Sequence, residues 1–283
     1  MTETTEAHRT LADLLASEPV LPNIPKVVAL MVNETSQPEP DLQRLCGWIG
    51  TDPVLAAQLL RTANGNPFRL AGRIGSVAQS LAVLGPIHLR SIAHGAATSG
   101  VARSVPGIAL PAFWRYSLNT AKVARALAGS LRLETATAFS AGLVHALGEL
   151  VMLTTMPQQQ LWPVQKAVSA LAPQRARVEQ QLLGFCYADV SAGLARAWRW
   201  PTPLVDALWQ HTHPYEADDL EPLAAILHLA AWRARAREAS IMGNALTDSF
   251  PYDVAVPLGL DIDLVLQQDP IDWNGRPGNT GWT

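Results

Sequence analysis

Thr51–Gly65 reads "TDPVLAAQLLRTANG" and Ser76–Gly85 reads "SVAQSLAVLG". Each stretch opens on a side chain able to accept a hydrogen bond from the free N–H groups of a first helical turn, and each closes on glycine. In the first, Asp52 stands at the N-cap and Pro53 takes the first helical position, where a missing N–H costs nothing. In the second, Ser76 is the cap and Gly85 the stop. Between cap and stop the apolar residues recur at spacings of three and four, which is the period of a helix and not of a strand.

The same period extends outward in both directions. Upstream, "IPKVVALMVNE" and "DLQRLCGWIG" read as amphipathic helices. Downstream, "PAFWRYSLNTAKVARALAGSL" and "ETATAFSAGLVHALGELVML" are long, alanine-rich and short of charge, as helices packed closely against neighbours should be. Further helices are expected at about 157–171, 174–184, 187–199, 202–212 and 222–240. No run alternates apolar with polar residues, and no Asn-Gly turn joins β-branched runs. The expected fold class is all-α: an N-terminal helical bundle plus a C-terminal helical lobe. The breaker-rich "VARSVPGIALP" suggests the boundary between them. The expected division is 1–19 as a helical extension, 20–105 as the bundle, 106–250 as the lobe and 251–283 as a C-terminal segment. Order is expected to weaken after Phe250, and "DPIDWNGRPGNTGWT" reads as a tail.

With 283 residues, 48% of them hydrophobic, the chain can bury a sizeable core without staples. Cys46 and Cys186 stand far apart in no CxxC pair, and are expected to be buried thiols. The polar N-terminus "MTETTEAHRT" lacks the features of a secretory signal, and no window holds roughly 18 uninterrupted apolar residues. A soluble, cytoplasmic protein with no membrane insertion is the expectation. A net charge of -3 argues against coating nucleic acid through bulk charge. The charge is unevenly distributed, however. Between Asp52 and Glu134 there is no acidic residue, while Arg61, Arg73, Arg90 and Arg115 all fall in that interval.

Taken in order, "LPNIPKVVALMVNE", "DLQRLCGWIGTDPVLAAQLLRTANGNPFRLAGRIGSVAQSLAVLGPIHLRSI", "FWRYSLNTAKVARALA", "AFSAGLVHALGEL" and "ADVSAGLARAWRWPTPLVDALWQHTHP" resemble an HDOD domain. The resemblance runs from about residue 20 to about residue 240. It implies that the C-terminal lobe is HD-like, related to the metal-dependent HD phosphohydrolases. In catalytic relatives a histidine, an adjacent His-Asp pair and a later aspartate hold a metal that activates water. Here "AGLVHALGEL" falls on the family's "AGLLHDIGKL" pattern. His145 survives, Ala146 replaces the aspartate and Glu149 stands where lysine is common. Tyr116 in "WRYS" takes the place of the first histidine, and Tyr187 stands where another histidine is frequent.

A phenol with a pKa of about 10 is a poor substitute for imidazole at neutral pH, and catalytic metals usually keep about three protein ligands. The expected site is therefore silent: no catalytic residue, no metal, no cofactor. His145 is expected to be a hydrogen-bonded core residue with partners such as Tyr116 or a backbone carbonyl. His211 and His213 in "WQHTHPYEADD" are weak ligand candidates, read as polar residues facing water after a helix end.

The functional expectation is a non-catalytic signalling or regulatory module that acts by binding a protein partner. Arg61, Arg73, Arg90 and Arg115 are the candidate contacts to an acidic partner or a phosphorylated ligand, because a guanidinium can engage carboxylate or phosphate in two bonds. Two alternatives remain open. One is an HD-type phosphohydrolase or nucleotide binder with unrecognised ligands; the other is a nucleic-acid-binding regulator. The tryptophans, Trp198 and Trp200 among them, are expected to be mostly core.

Overall fold

The computed structural model describes residues 8–68, 70–99, 104–214, 221–260 and 265–266. Among them no strand forms, and an isolated bridge joins Val105 to Ile108. The chain is all-α. The helices are α1 (Leu11–Ala16), α2 (Pro25–Thr35), α3 (Leu42–Ile49), α4 (Pro53–Ala63), α5 (Val77–Val83), α6 (Pro86–Thr98), α7 (Leu110–Ser130), α8 (Thr135–Val144), α9 (Leu147–Thr155), α10 (Gln158–Ala167), α11 (Arg175–Leu183), α12 (Tyr187–Ala197), α13 (Thr202–Gln210), α14 (Pro222–Glu238), α15 (Asn244–Asp248) and α16 (Tyr252–Ala255).

The caps explain the boundaries. One carboxylate oxygen of Asp52 accepts from Val54 N and Leu55 N, which starts α4, and the other accepts from Ile24 N at 2.6 Å. This fully buried side chain thus ties the chain before α2 to the helix at the centre of the bundle. Burial pushes its carboxyl up to about 6 against those three donors. Ser76 Oγ accepts from Gln79 N to start α5, and Gly85 becomes the N-cap of α6. Glu221 accepts from Ala224 N to start α14; the preceding acidic residues 216–220 lie outside the described residues.

The bundle, α2 to α6, is joined to the lobe through α4 and α5, which pack against α8. One apolar cluster runs through both, with Leu55, Leu59 and Leu60 of α4 in continuity with Phe139 and Leu143 of α8. Val77 N also donates across the seam to Ser140 Oγ. Within the lobe, α7 lies between α8 and α14. The approach of α7 to α8 is close enough that a Cβ on Gly142 would sit 2.6 Å from Ala121 Cα. The short α1 docks on α12 and α9, in the lobe, with Leu15 filling the space over Gly193. Both cysteines are buried, and burial raises their thiols to about 11 at Cys46 and about 12 at Cys186, leaving them unreactive near neutral pH.

Two readings of the sequence need correction. "ETATAFSAGLVHALGELVML" is two helices, with His145 and Ala146 between them. Glu149 N donates three residues back to Ala146 O, which frees the His145 carbonyl to accept from Ser191 Oγ at 2.9 Å. A side chain from α12 thus interrupts the ladder, a recognised cause of helix kinks. The span Thr135–Thr155 is apolar enough by composition to cross a bilayer, but 89% of its most apolar window is buried inside the protein. Order also persists beyond Phe250. Val254 and Ala255 of α16 are fully buried against α14, and the Phe250 ring meets Trp232 edge-on at 5.2 Å. The apolar residues of "YDVAVPLGL" supply that packing. The tail from residue 267 lies outside the described residues, as does the start of the breaker-rich segment, 100–103.

Candidate functional site

One long helix and three helix ends bring His211 together with Tyr116, His145 and Tyr187 of the HD pattern. Tyr116 comes from α7, His145 from the kink after α8, Tyr187 from the first turn of α12, and His211 from the C-terminal end of α13; all four are buried. The two histidines share one local geometry. His145 Nδ1 donates to Gly142 O at 2.7 Å, and His211 Nδ1 donates to Leu208 O at 2.7 Å, in each case three residues back. A carbonyl can only accept, so the proton of each neutral ring sits on Nδ1 and each Nε2 is an acceptor. The phenols fill those acceptors: Tyr116 OH donates to His145 Nε2 at 3.0 Å and Tyr187 OH to His211 Nε2 at 3.3 Å. Burial holds the His145 imidazole neutral, pushing it down to about 3, and holds His211 well below the usual range. Both phenols are raised by burial.

His211 therefore does not face water, contrary to the reading from sequence. The helix ends where expected, but the back-bond from Nδ1 turns the ring inward, where it meets the His145 ring edge-on at 5.6 Å. His145 is accordingly not isolated. His213 diverges outward against Trp209, ring centroids 5.3 Å apart.

Between the two tyrosines stands a cation that the pattern did not reveal. Arg235 of α14 donates to Tyr187 OH at 3.3 Å, its guanidinium carbon lies 5.6 Å from the centre of the Tyr116 ring, and its Nε is buried without a hydrogen-bond partner. It lies in "WRARARE", the arginine-rich end of α14. Nothing in it marks Arg235 as the residue that turns inward.

A second charged group closes the site from the other side. Arg175, 1% exposed, reaches Glu149 of α9 at 2.8 Å and bonds Glu179 one turn along α11. Glu179 also accepts from Tyr187 N at 2.8 Å, which fixes the start of α12. Burial raises both carboxyls, and the charge of Glu179 raises Glu149 further. Glu179 accepts from the Arg175 guanidinium and from Tyr187 N, which favour its charged form, so burial biases Glu149 toward its protonated form more strongly than Glu179. The Arg175/Glu179 spacing of four residues was visible in "RARVEQQLL", where it resembles an ordinary surface pair.

A carboxyl whose folded pKa is raised contributes its full stability below the unfolded value of about 4.5, and loses it as pH climbs toward the folded value. Glu149→Gln is therefore expected to match the parent protein at pH 4.5 and to exceed its melting temperature increasingly from there to pH 8. Parallel melting curves across that range would detect a flat difference, which would mean that Glu149 is ionised in the fold.

These residues do not fit a catalytic metal. Ala146 offers no donor, both imidazole acceptors are already satisfied by phenols, and a guanidinium repels a second cation. Among the described residues no group of three or more His, Cys, Asp and Glu is placed to hold a metal ion. The cavity left between Tyr116, Ala146, Glu149, Arg175, Tyr187 and Arg235 is about 10 Å³, room for one water at most.

The four candidate arginines reach different segments. Arg61 pairs with Glu18 at 2.7 Å, Arg90 donates through Nε and a terminal nitrogen to Thr35 O at the end of α2, and Arg115 pairs with Glu238 of α14 at 2.6 Å. Arg73 is exposed in the turn before α5. Trp200 is buried, Trp198 partly so, while Trp162 and Trp209 are exposed.

Residues 21–214 match the family model of the HDOD domain, and the chain belongs to that family. A curated relative, an uncharacterized protein of Treponema pallidum (strain Nichols), is 21% identical over 232 residues; the match covers 81% of this chain but only 44% of that protein. The fold is also that of the MmoQ response regulator of Methylococcus capsulatus, with a TM-score of 0.69 at 20% identity over 87% of this chain and 96% of the other. A protein of Shewanella amazonensis described provisionally as a phosphohydrolase aligns with a TM-score of 0.54 at 25% identity, covering 91% and 92% of the two chains.

Proposed function

We propose that this HDOD protein is a catalytically silent regulatory module that works in signalling by binding a protein partner. One observation carries the reading: Tyr116 bonds to His145, Tyr187 is engaged by His211 and Arg235, Ala146 offers no donor, and the cavity of about 10 Å³ between them is too small for a phosphoryl group. A site of this kind stabilises a shape. Regulation is the use to which such a shape is suited, and the same fold belongs to a protein described as a response regulator. The exposed Arg73 and the half-exposed Arg61 are the arginines best placed to meet an acidic partner.

The phosphohydrolase reading draws on the Shewanella neighbour and on the two histidines that face each other across the site. Metal analysis and turnover separate the readings. The protein, incubated with Mn²⁺ or Fe²⁺ and desalted, is expected to retain far less than one equivalent and to release no phosphate from nucleotides or cyclic dinucleotides above the protein-free rate. Stoichiometric metal with metal-dependent hydrolysis would reverse the assignment.

A further inference from the structure

A cavity of about 250 Å³ opens at the seam between bundle and lobe, away from the closed HD-like site. Val54 and Ala57 of α4, Leu147 at the start of α9 and Trp198 at the end of α12 form an apolar wall, and the chain from Leu15 to Pro19 forms much of the rest. Its polar groups gather around Arg61 and Glu18. An apolar cavity of about 150 Å³ already admits benzene, so this one has room for a fused bicyclic ring.

An exposed ion pair that a ligand can exchange lines the cavity. Arg61 and Glu18 side chains are 48% and 80% exposed, and Glu18 lies in the short strap between α1 and α2. Exposed pairs of this kind are weak. The Arg61 guanidinium stands 5.5 Å from the centre of the Trp198 ring. Tryptophan and arginine together are the residues most often found at binding hot spots.

The ring is also held in place. Arg199, the residue after Trp198, has φ 59, a left-handed conformation that few residues other than glycine adopt. It is kept there by its side-chain bond to Asn66 and by Gly72 N, which donates to its carbonyl at 2.8 Å. This is the left-handed stop of α12: Arg199 N donates to Arg196 O at 3.0 Å and Trp200 N to Ala195 O at 2.9 Å. Here it sends Trp200 into the core and leaves Trp198 at the cavity.

We propose that this cavity binds a small planar aromatic carboxylate. The ring lies against Trp198 and Leu147, and the carboxylate takes the place of the Glu18 carboxylate on Arg61. The bond to Glu18 shows that Arg61 donates to a carboxylate here, and a planar guanidinium engages a carboxylate in two bonds. Seams between packed units are common places for such sites. The proposal is independent of the silence of the HD-like site.

Calorimetric titration of the full chain with indole-3-acetate and with indole tests it. Saturable binding of indole-3-acetate is expected, about fivefold or more tighter than indole, from the added charge-assisted pair. Arg61→Gln should erase that preference while leaving indole binding intact, and Glu18→Gln should tighten indole-3-acetate alone by removing the internal competitor. Both substitutions are at exposed side chains, and unchanged melting curves will show that the fold is kept. No saturable binding of either compound, a preference that survives Arg61→Gln, or an affinity unmoved by Glu18→Gln would each overturn the assignment.

Discussion

Arg175→Met is expected to cost about 3–5 kcal/mol of folding free energy at pH 8, because removing one partner from a buried ion pair strands the other. Arg175 holds α11 to Glu149 of α9, and its remaining terminal nitrogen points to Val168 O at 3.4 Å after α10. Without it two buried carboxyls face each other with no cation between them. Each is already raised by burial in the intact protein, so loss of the cation raises them further. Stability tied to a raised carboxyl is present below about pH 4.5 and lost as pH rises. The deficit of Arg175→Met should therefore shrink as the pH falls from 8 to 5, whereas a simple packing defect would stay constant. Urea unfolding at the two pH values makes the comparison. A loss under about 1 kcal/mol at pH 8 would place Arg175 among the pairs that contribute little. Adding Glu149→Leu should restore part of the loss, since apolar replacements of buried ion pairs are often tolerated.

The same question of cohesion arises where Tyr116, His145, Ala146 and Tyr187 meet. The HD pattern brings four helices to one point. Once Ala146 stands in place of the aspartate, the point needs another source of cohesion. Arg235 between the tyrosines and Arg175 between the glutamates provide it, each a cation enclosed by groups that can accept from it or face it with π density.

How much of this could be read from the sequence follows from the range of each interaction. Caps act within three residues, so Asp52 and Ser76 announced their helices. The back-bond of His145 to Gly142 O is equally local. The Ser191 contact that breaks "AGLVHALGEL" spans 46 residues, and the contact of Arg235 with Tyr187 spans 48. No local pattern contains either. His211 illustrates the division: the end of α13 was legible from Pro214 and the composition around it, but the direction of the ring depends on Tyr187 from α12. The arginines misled for a related reason. A stretch without acids suggested one positive face, yet Arg61 and Arg115 find glutamates at positions 18 and 238, outside that stretch.

Gly148→Ala is the second substitution with a large expected effect, and it tests whether the contact of α9 with α12 holds the site together. A Cβ at this position would lie 2.1 Å from Tyr187 O and 2.9 Å from Ser191 N. Both are backbone atoms in the first turn of α12, so no side-chain rotation relieves the clash. The helices must part, and the hydrogen bonds that pass through Ser191 Oγ, from Gly148 N at 2.8 Å and to His145 O at 2.9 Å, are broken or stretched. Overpacking and two weakened buried bonds together should cost about 3–5 kcal/mol. Gly95→Ala is the matched control. Gly95 lies on the exposed face of α6 with nothing within 4 Å of an added Cβ, so the same change there should stabilise by up to about 1 kcal/mol through helix propensity. Chemical unfolding of both variants reads the two signs. If Gly148→Ala proved as benign as Gly95→Ala, the close approach of α9 and α12 would not be what holds Tyr187 beside His211, and the two tyrosine–histidine pairs would have to be held by Arg235 and by the bond of Tyr187 N to Glu179.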